Sequence, residues 1–421
     1  MNRAAPVSPR LAALSIVRTL RRAGFTALFA GGCVRDALLG RRPDDYDVAT
    51  DARPEQILSL FRRTRKVGVQ FGVVMVGVGG RWIEVATFRS DTAYSDGRHP
   101  DAVCFSDPLH DAQRRDFTIN GMFYDPIARR VIDHVGARRD LRDGVIRAIG
   151  DPAARFAEDH LRMLRAVRFA ARLGFRIDPR TLEAIGRYAD RIARVSPERI
   201  ADELERILTH PRRAAGWRLL EHSGLLPHLW PIAARLPPHS RETAARLAAL
   251  PRRPISWELA LASILLPLEM ADVRASCRQL RTSNDVQADV AWLCAHVEAA
   301  CSPRSLSLAD VKRLMAGRRF DDLLLLVGAH LRARRRSPTP RRELAVRARA
   351  VSPDAVSPPP LVNGDDLHAW GVPQGPIYRK VLNRVYDEQL NERIRDRRAA
   401  RELAARTLAE MGIPVRITSE S

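Results

Sequence analysis

Lysine is almost missing from this 421-residue chain: Lys66, Lys312 and Lys380 are the only three, so arginine carries nearly all of a formal charge of +21. A G- and C-rich genome accounts for the choice of arginine over lysine but not for a net excess of this size. A polyanion is the natural partner, and charge alone leaves RNA, DNA and an acidic membrane surface open. Cysteine is scarce too. Cys33, Cys104, Cys277, Cys294 and Cys301 are odd in number and form no Cys-x-x-Cys pair, so neither a disulfide framework nor a structural zinc site is indicated, and a reducing cytoplasm fits. Long apolar runs are absent. Leu259 to Leu268 is broken by Pro267 and Leu323 to Val327 is short, well under the roughly 18 residues that a bilayer span requires. Leu11, Leu14, Val17 and Leu20, interleaved with Arg10, Arg18, Arg21 and Arg22, have helical spacing and predict a surface helix rather than a cleavable signal. No fixed-period repeat is present, which argues against a solenoid.

What the chain does contain is enough apolar content for roughly two to four domains at this length. Residues 24 to 150 mix short strands with helices, and the chain from Asp151-Pro152 onward reads as helices separated by proline-containing turns. Val73 to Val78 and Arg81 to Phe88 are β-like runs joined by Gly79-Gly80, a two-residue connection typical of a tight hairpin, and they place Glu84 in a strand. No helical pattern follows Gly77-Val78-Gly79-Gly80, so a dinucleotide fingerprint is not expected there. Two proline clusters between Ser337 and Pro360 mark a connection to a small carboxy-terminal unit.

The most informative stretch is Gly31-Gly32-Cys33-Val34-Arg35-Asp36 followed by Asp45-Tyr46-Asp47. Glycines let a backbone approach phosphate oxygens, and the first turn of the helix predicted through Leu39 offers unpaired N–H groups and a positive dipole end. Gly40 and Pro43 end that helix, and the chain turns into an extended segment. Residues two apart in such a segment share a face about 6.6 Å apart, so Asp45 and Asp47 can converge on one or two hard divalent cations. Taken singly, a glycine pair before a helix is common and Asp-x-Asp is often a solvated turn. Their order and spacing make one helix-turn-strand unit suited to metal-assisted chemistry on a nucleoside triphosphate.

Together with Glu84 and the blocks Arg114 to Asn120, Tyr94 to Asp101, Glu158 to Phe169 and Glu198 to Leu208, this unit resembles the class II tRNA nucleotidyltransferase and bacterial poly(A) polymerase family. The resemblance covers residues 24 to 215, and again 361 to 400 through Leu361-Val362-Asn363-Gly364-Asp365-Asp366-Leu367. It implies an α+β fold: a DNA polymerase β-like nucleotidyltransferase head with a mixed sheet (1–150), then an all-helical neck (151–215), body (216–350) and tail (351–421), the tail binding tRNA. It further implies Asp45 and Asp47 as ligands of two Mg²⁺ ions, with Glu84 as a third catalytic carboxylate. The implied reaction is in-line attack of an RNA 3′-hydroxyl on the α-phosphorus of CTP or ATP, releasing pyrophosphate. Gly31, Gly32 and Arg35 would hold the triphosphate. Arg115, Asp116 and Asn120 would contact ribose and triphosphate, and a carboxylate at 116 can accept from a 2′-hydroxyl.

On helical spacing alone Asp159 and Arg162 form an i,i+3 ion pair; the resemblance instead has them read the Watson–Crick edge of the incoming base, with Arg165 and Arg168 beside them. Cytosine and adenine both present an exocyclic amine to a carboxylate, where guanine and uracil present a carbonyl. Leu161, Leu164 and Val167 form the core stripe of one helix expected over 158–169, and Arg199 and Glu203 are expected to brace it as a pair. Gly121 departs from relatives, which carry alanine there. The loop Asp96 to Asp101 resembles that of CCA-adding and A-adding members. Bacterial poly(A) polymerases begin the neck helix Arg-Tyr-x-Glu-Asp-Pro-Val-Arg, whereas this chain has Arg155-Phe156-Ala157-Glu158-Asp159-His160-Leu161-Arg162, which favours CCA addition to tRNA in the cytoplasm. A-only addition and poly(A) synthesis are the alternatives, and a non-catalytic tRNA-binding protein is a remote one. The runs Arg332 to Arg336, Arg341-Arg342 and Arg395 to Arg398 are candidates for gripping phosphates. The histidines, including His222, His228 and His239, lack His-Asp pairs, so no appended phosphohydrolase is expected. Neither a membrane nor a protein partner is expected.

Overall fold

The structure is a computed structural model that describes residues 7–91, 103–230, 241–413 and 415. The expected loop at 96–101 lies outside the described residues, as does His239. The chain divides into two compact units, Met1–His239 with Gln279–Arg281, and Ser240–Arg278 with Thr282–Ser421.

The first unit begins with helix α1 (Pro9–Arg22), started by Pro9 at its first position and by Ser8, whose hydroxyl accepts from the Leu11 N–H. Its buried face is Ala12, Ala13, Ile16, Val17 and Leu20, while Leu11 is 54% exposed. The expected stripe is thus rotated: small alanines, which leucine counting overlooks, let the helix lie close to the sheet. Strand β1 (Ala27–Ala30), helix α2 (Gly32–Leu38), strand β2 (Asp47–Thr50), helix α3 (Pro54–Leu60) and strands β3 (Thr64–Arg65), β4 (Val73–Val78) and β5 (Arg81–Thr87) follow. Next come β6 (Arg89–Asp91) and β7 (Val103–Phe105), which pair with each other, then α4 (Pro108–Gln113), β8 (Met122–Asp125) and β9 (Arg130–Asp133).

Seven strands form the mixed sheet in the order β3-β4-β5-β2-β1-β8-β9. Only β2 and β5 are parallel neighbours in it; the other pairs are antiparallel. The β4–β5 hairpin turns on Gly79 and Gly80 with φ of 56° and 77°, the doubly positive backbone that glycine adopts without strain and that matches the twist of the strands. One sheet face buries Val74, Val76, Ile83 and Val85; the alternate residues, including Trp82 and Glu84, stand on the other. Phe88 and Phe123 meet edge to face at 5.7 Å in a second buried cluster with Leu28, Ala30, Ala49 and Ala112. Gly121 is explained by Val135, whose Cγ2 would lie 2.7 Å from a Cβ placed there.

Helices α5 (Ala137–Asp143), α6 (Pro152–Glu158), α7 (Leu161–Leu173), α8 (Pro179–Arg187), α9 (Pro197–Leu208), α10 (Arg213–His222) and α11 (Leu226–Leu229) complete this unit. A small parallel pair, β10 (Val145–Ile146) with β11 (Arg176–Ile177), joins the segment before residue 150 to the one after it. The second unit is helical among its described residues. It carries a core of Val362, Leu367, Val372, Val381, Val385, Ala400, Ala404 and Leu408 under the helices Pro376–Leu390 and Arg397–Glu410. No helix of the described residues is long and apolar enough to cross a membrane.

Candidate active site

Asp47 is the first residue of β2, and Asp45 precedes the strand in irregular chain rather than lying on it. Register brings Glu84 alongside: Val48 pairs with Val85 in the parallel ladder, so Asp47 and Glu84 stand one step earlier on adjacent strands and point to the same face. The consequence is electrostatic. Burial first, and then the negative charges of Glu84 and Asp45, together push the Asp47 carboxyl up to about 6 against the pull of Arg115. Glu84 is raised as well, by burial first, with Arg115 and Arg89 opposing. Both residues nevertheless remain exposed to solvent. A carboxyl raised by burial and by neighbouring negative charge is one whose ionised form a cation would favour.

The glycine pair sits across β1 from this point, since Ala30 pairs with Asp47. Gly31 has φ 68° and caps α2, so the backbone disfavours any side chain there, and a Cβ would also press on Arg115 Nη1 at 3.1 Å. Arg35, one turn into α2 and buried, donates from Nη1 to Asn120 Oδ1 at 2.7 Å and from Nε to Asp36 at 2.9 Å.

Asn120 in turn donates to Asp116 Oδ1 at 3.0 Å, and Asp116 also accepts from the Phe117 N–H at 2.8 Å and from Arg165 Nε and Nη2 at 2.9 and 2.6 Å. Burial alone would raise the Asp116 carboxyl, but the Arg165 charge and these donors outweigh it and hold it at about 2. Asp111, a residue the sequence reading passed over, organises the two preceding arginines. Its carboxylate accepts from Arg114 Nη2 at 2.6 Å and from Arg115 Nη2 at 2.9 Å. Burial pushes this carboxyl up as well, and the two guanidiniums bring it below its ordinary value. The i,i+3 and i,i+4 spacing of Asp111, on α4, to Arg114 and Arg115 just beyond its end was the available signal.

The helix expected over 158–169 is interrupted. Asp159 is extended (φ −147°, ψ 105°) between α6 and α7; its Oδ1 accepts from the Leu161 N–H at 3.1 Å, and His160 Nδ1 donates to the Phe156 carbonyl at 2.7 Å. Aspartate here satisfies the start of α7 and histidine the end of α6, a competition for backbone groups that interior helix positions lose. Leu161, Leu164 and Val167 are buried as expected. The expected Asp159–Arg162 and Arg199–Glu203 pairs do not form. Arg199 instead donates to both oxygens of Asp159, at 3.2 and 3.0 Å, and Arg162 Nη1 donates to Glu158 at 2.5 Å. Glu203 accepts from Arg168 Nε at 2.6 Å, and both partners are buried. Phe169 lies 5.3, 5.4 and 4.3 Å from the guanidiniums of Arg35, Arg165 and Arg168, so one aromatic ring gathers three cations.

These side chains line one cleft of about 480 Å³. Every nucleotide-binding position expected from sequence is among its lining residues: Gly31, Gly32, Arg35, Arg115, Asp116, Asn120, Asp159, Arg162, Arg165 and Arg168. Asp47 stands at its edge, with Asp45 and Glu84 acting on Asp47 from outside the lining; Arg114, Arg172, Arg199, Leu161 and Phe169 are additions. Eight arginines face three aspartates among these residues, a balance suited to a polyphosphate. No group of three or more His, Cys, Asp or Glu among the described residues is placed to hold a metal by itself.

Residues 27–147 match the poly A polymerase head domain, and residues 174–236 match the probable RNA and SrmB-binding site of polymerase A. The CCA-adding enzyme of Geobacillus stearothermophilus is 33% identical over 393 residues, covering 90% of this chain and 92% of the relative. Poly(A) polymerase I of Escherichia coli O157:H7 is 43% identical over 235 residues, 53% of this chain and 50% of the relative. The crystal structure of the Bacillus stearothermophilus CCA-adding enzyme in complex with CTP superposes with a TM-score of 0.79 at 29% identity, covering 96% of this chain and 99% of that one. With a mixed-sheet head, a helical remainder and this likeness along nine-tenths of its length, the chain belongs to the class II tRNA nucleotidyltransferase and bacterial poly(A) polymerase family and is a nucleotidyltransferase.

Proposed function

We propose that this chain is a template-independent enzyme that adds CCA to the 3′ ends of tRNA from CTP and ATP, within the cytoplasm. The observation that carries the reading is the single arginine-rich cleft in which Asp116, Asn120, Asp159 and Arg162 converge, with Asp47 at its edge and Glu84 beside it. Arg35 and Arg115 bind the triphosphate, and Gly31 and Gly32 let it approach the backbone. Asp116, kept ionised by Arg165, accepts from the ribose 2′-hydroxyl, which selects ribonucleotides. Asp159 and Arg162 address the base edge. To do so Asp159 loosens from Arg199 and Arg162 from Glu158, so the present ion pairs are a resting arrangement that an incoming base exchanges. Arg165 and Arg168 keep these groups oriented through Asp116, Glu203 and the Phe169 ring.

Asp45 and Asp47 would hold Mg²⁺; the Asp47 carboxyl, raised by burial and by the charges of Glu84 and Asp45, is a group whose ionised form a cation would favour. Divalent cations held there would supply activation of the attacking hydroxyl and neutralisation of the leaving pyrophosphate. The head, neck, body and tail divisions at 150, 215 and 350 accompany this reading, the tail holding the tRNA. Transcripts ending before CCA, or after one or two cytidines, incubated with CTP and ATP separately and together, test it. Addition stopping at CCA supports the proposal. The 43% identity to poly(A) polymerase I over half the chain favours poly(A) synthesis as the second reading, which a ladder running far beyond three nucleotides on ATP alone would establish.

A further inference from the structure

We propose that the outer edge of the head sheet carries a track for the RNA strand that delivers the 3′-hydroxyl, built from Arg63, Arg65 and Trp82. Pairing registers place it. Arg65 pairs with Met75, Met75 with Glu84, and Gly77 with Trp82, while the Gly77 N–H donates to the Arg63 carbonyl at 2.8 Å. Because directly paired residues share a face and alternate residues return to it, Arg65, Met75, Glu84 and Asp47 form one row across four neighbouring strands, and Arg63, Gly77 and Trp82 form the next row outward. The two rows stand about 6.6 Å apart, close to the spacing of successive phosphates in an extended RNA strand. This is the open face; the other face is closed by Val74, Val76, Ile83 and Val85.

The chemistry of the outer row suits RNA. The Arg65 guanidinium lies 4.1 Å from the Trp82 ring centroid and that of Arg63 5.7 Å, so the indole holds both cations over the sheet. Gly77 makes room: a Cβ there would meet Trp82 Cζ3 and Arg63 Cβ, each at 3.2 Å. The segment from Phe61 to Gly72 contains Arg62, Arg63, Arg65 and Lys66 and no acidic residue. Among the described residues neither Arg63 nor Arg65 has a carboxylate partner, whereas seven of the eight cleft arginines, 35, 114, 115, 162, 165, 168 and 199, are paired with carboxylates, Arg172 being the exception. Cations left unpaired, held by an aromatic ring and one row from the reacting carboxylates, are placed for the phosphates of the growing strand rather than for the nucleoside triphosphate. Sheet edges also carry cations merely to block edge-to-edge pairing, and the test separates the two roles.

This inference rests on the RNA-extending reading above. It is tested with the full chain carrying Arg63→Ala and Arg65→Ala together, and with Arg63→Lys and Arg65→Lys together, measuring KM for a tRNA transcript and for CTP separately. The alanine pair is expected to raise the tRNA KM tenfold or more, with the CTP KM within twofold of wild type, and the lysine pair to restore most of the loss. Filter binding of labelled tRNA should show the salt slope falling by about 1.4 for two lost single-strand phosphate contacts. A tRNA KM and salt slope unchanged in the alanine pair, or equal rises in both KM values, would overturn the track. Wild-type protein that binds tRNA but fails to extend it would refute the proposed function alone, with the track still read from the binding slopes; wild-type protein that binds no RNA would refute both.

Discussion

Replacing Asp47 with asparagine should make the metal-free protein more stable while removing its activity. The Asp47 carboxyl is displaced from 3.8 to about 6 by crowding and by its acidic neighbours, and a two-unit displacement corresponds to about 3 kcal/mol for a fully enclosed group. Asp47 opens to solvent on one side, so screening reduces the relief to about 1–2 kcal/mol. For a unit of this size that is a rise in melting temperature of roughly 2–8 °C. The effect has a pH signature. The folded-state carboxyl titrates above its unfolded value, so the penalty is absent below 3.8, grows as pH rises towards 6 and is complete above it. Melting curves of wild type and Asp47→Asn in EDTA should therefore diverge between pH 4 and pH 7 and coincide in more acidic buffer. Saturating Mg²⁺ with CTP should then stabilise the wild type preferentially and narrow the gap, because the bound cation cancels the repulsion that asparagine removes. Nucleotide addition by the variant should fall by at least about 10³-fold, given its place beside the reacting groups. A variant that melts at or below the wild-type temperature at pH 8 in EDTA, or that keeps wild-type turnover, would refute the reasoning.

Three further outcomes follow from the same geometry. Glu203→Ala strands the buried Arg168 without its counter-charge and should cost about 3–5 kcal/mol in denaturant unfolding, whereas Arg206→Ala on the exposed side of α9 should cost under about 0.5 kcal/mol. Asp116→Asn leaves Arg165 without its charged partner and should reduce the preference for CTP over dCTP about tenfold or more; in the wild type the stability supplied by Asp116 is complete above pH 3.8 and lost as pH falls through about 2, measurable as an acid-unfolding limb absent from the variant. Arg199→Ala frees Asp159 and should shift the ratio of CTP to ATP incorporation by severalfold in single-turnover assays with tRNA binding unaltered; a ratio within experimental error of wild type would remove Arg199 from base selection.

Local chemistry made a good part of this legible. Gly79-Gly80 between two β-like runs specifies a tight turn because only glycine adopts positive φ twice without strain, and the turn then fixes the register that sets Met75 opposite Glu84, whereas the parallel β2–β5 ladder that puts Glu84 beside Asp47 is a long-range pairing. Helical periodicity found the buried side of α7, since Leu161, Leu164 and Val167 answer to a repeat of 3.6. Periodicity failed at α1, where alanines rather than leucines make the contact, and at Asp159, where a side chain outcompetes the helix for backbone N–H groups.

The sequence by itself determined the Gly79-Gly80 turn, the glycine-capped helix, the mixture of strands and helices before residue 150 and the identities of the ionisable groups, because these depend on the intrinsic φ preference, periodicity and polarity of neighbouring residues. Tertiary structure alone decided which charges pair. Asp159 with Arg199, Arg168 with Glu203 and Asp116 with Arg165 join residues 35 to 49 positions apart, and each was settled by which oppositely charged group the packing around α7, against α9 and against the segment after α4, carried within hydrogen-bonding reach. Spacing along one helix offers several partners at similar energy, worth a few tenths of a kcal/mol each, while burial penalises any ion left unmatched by several.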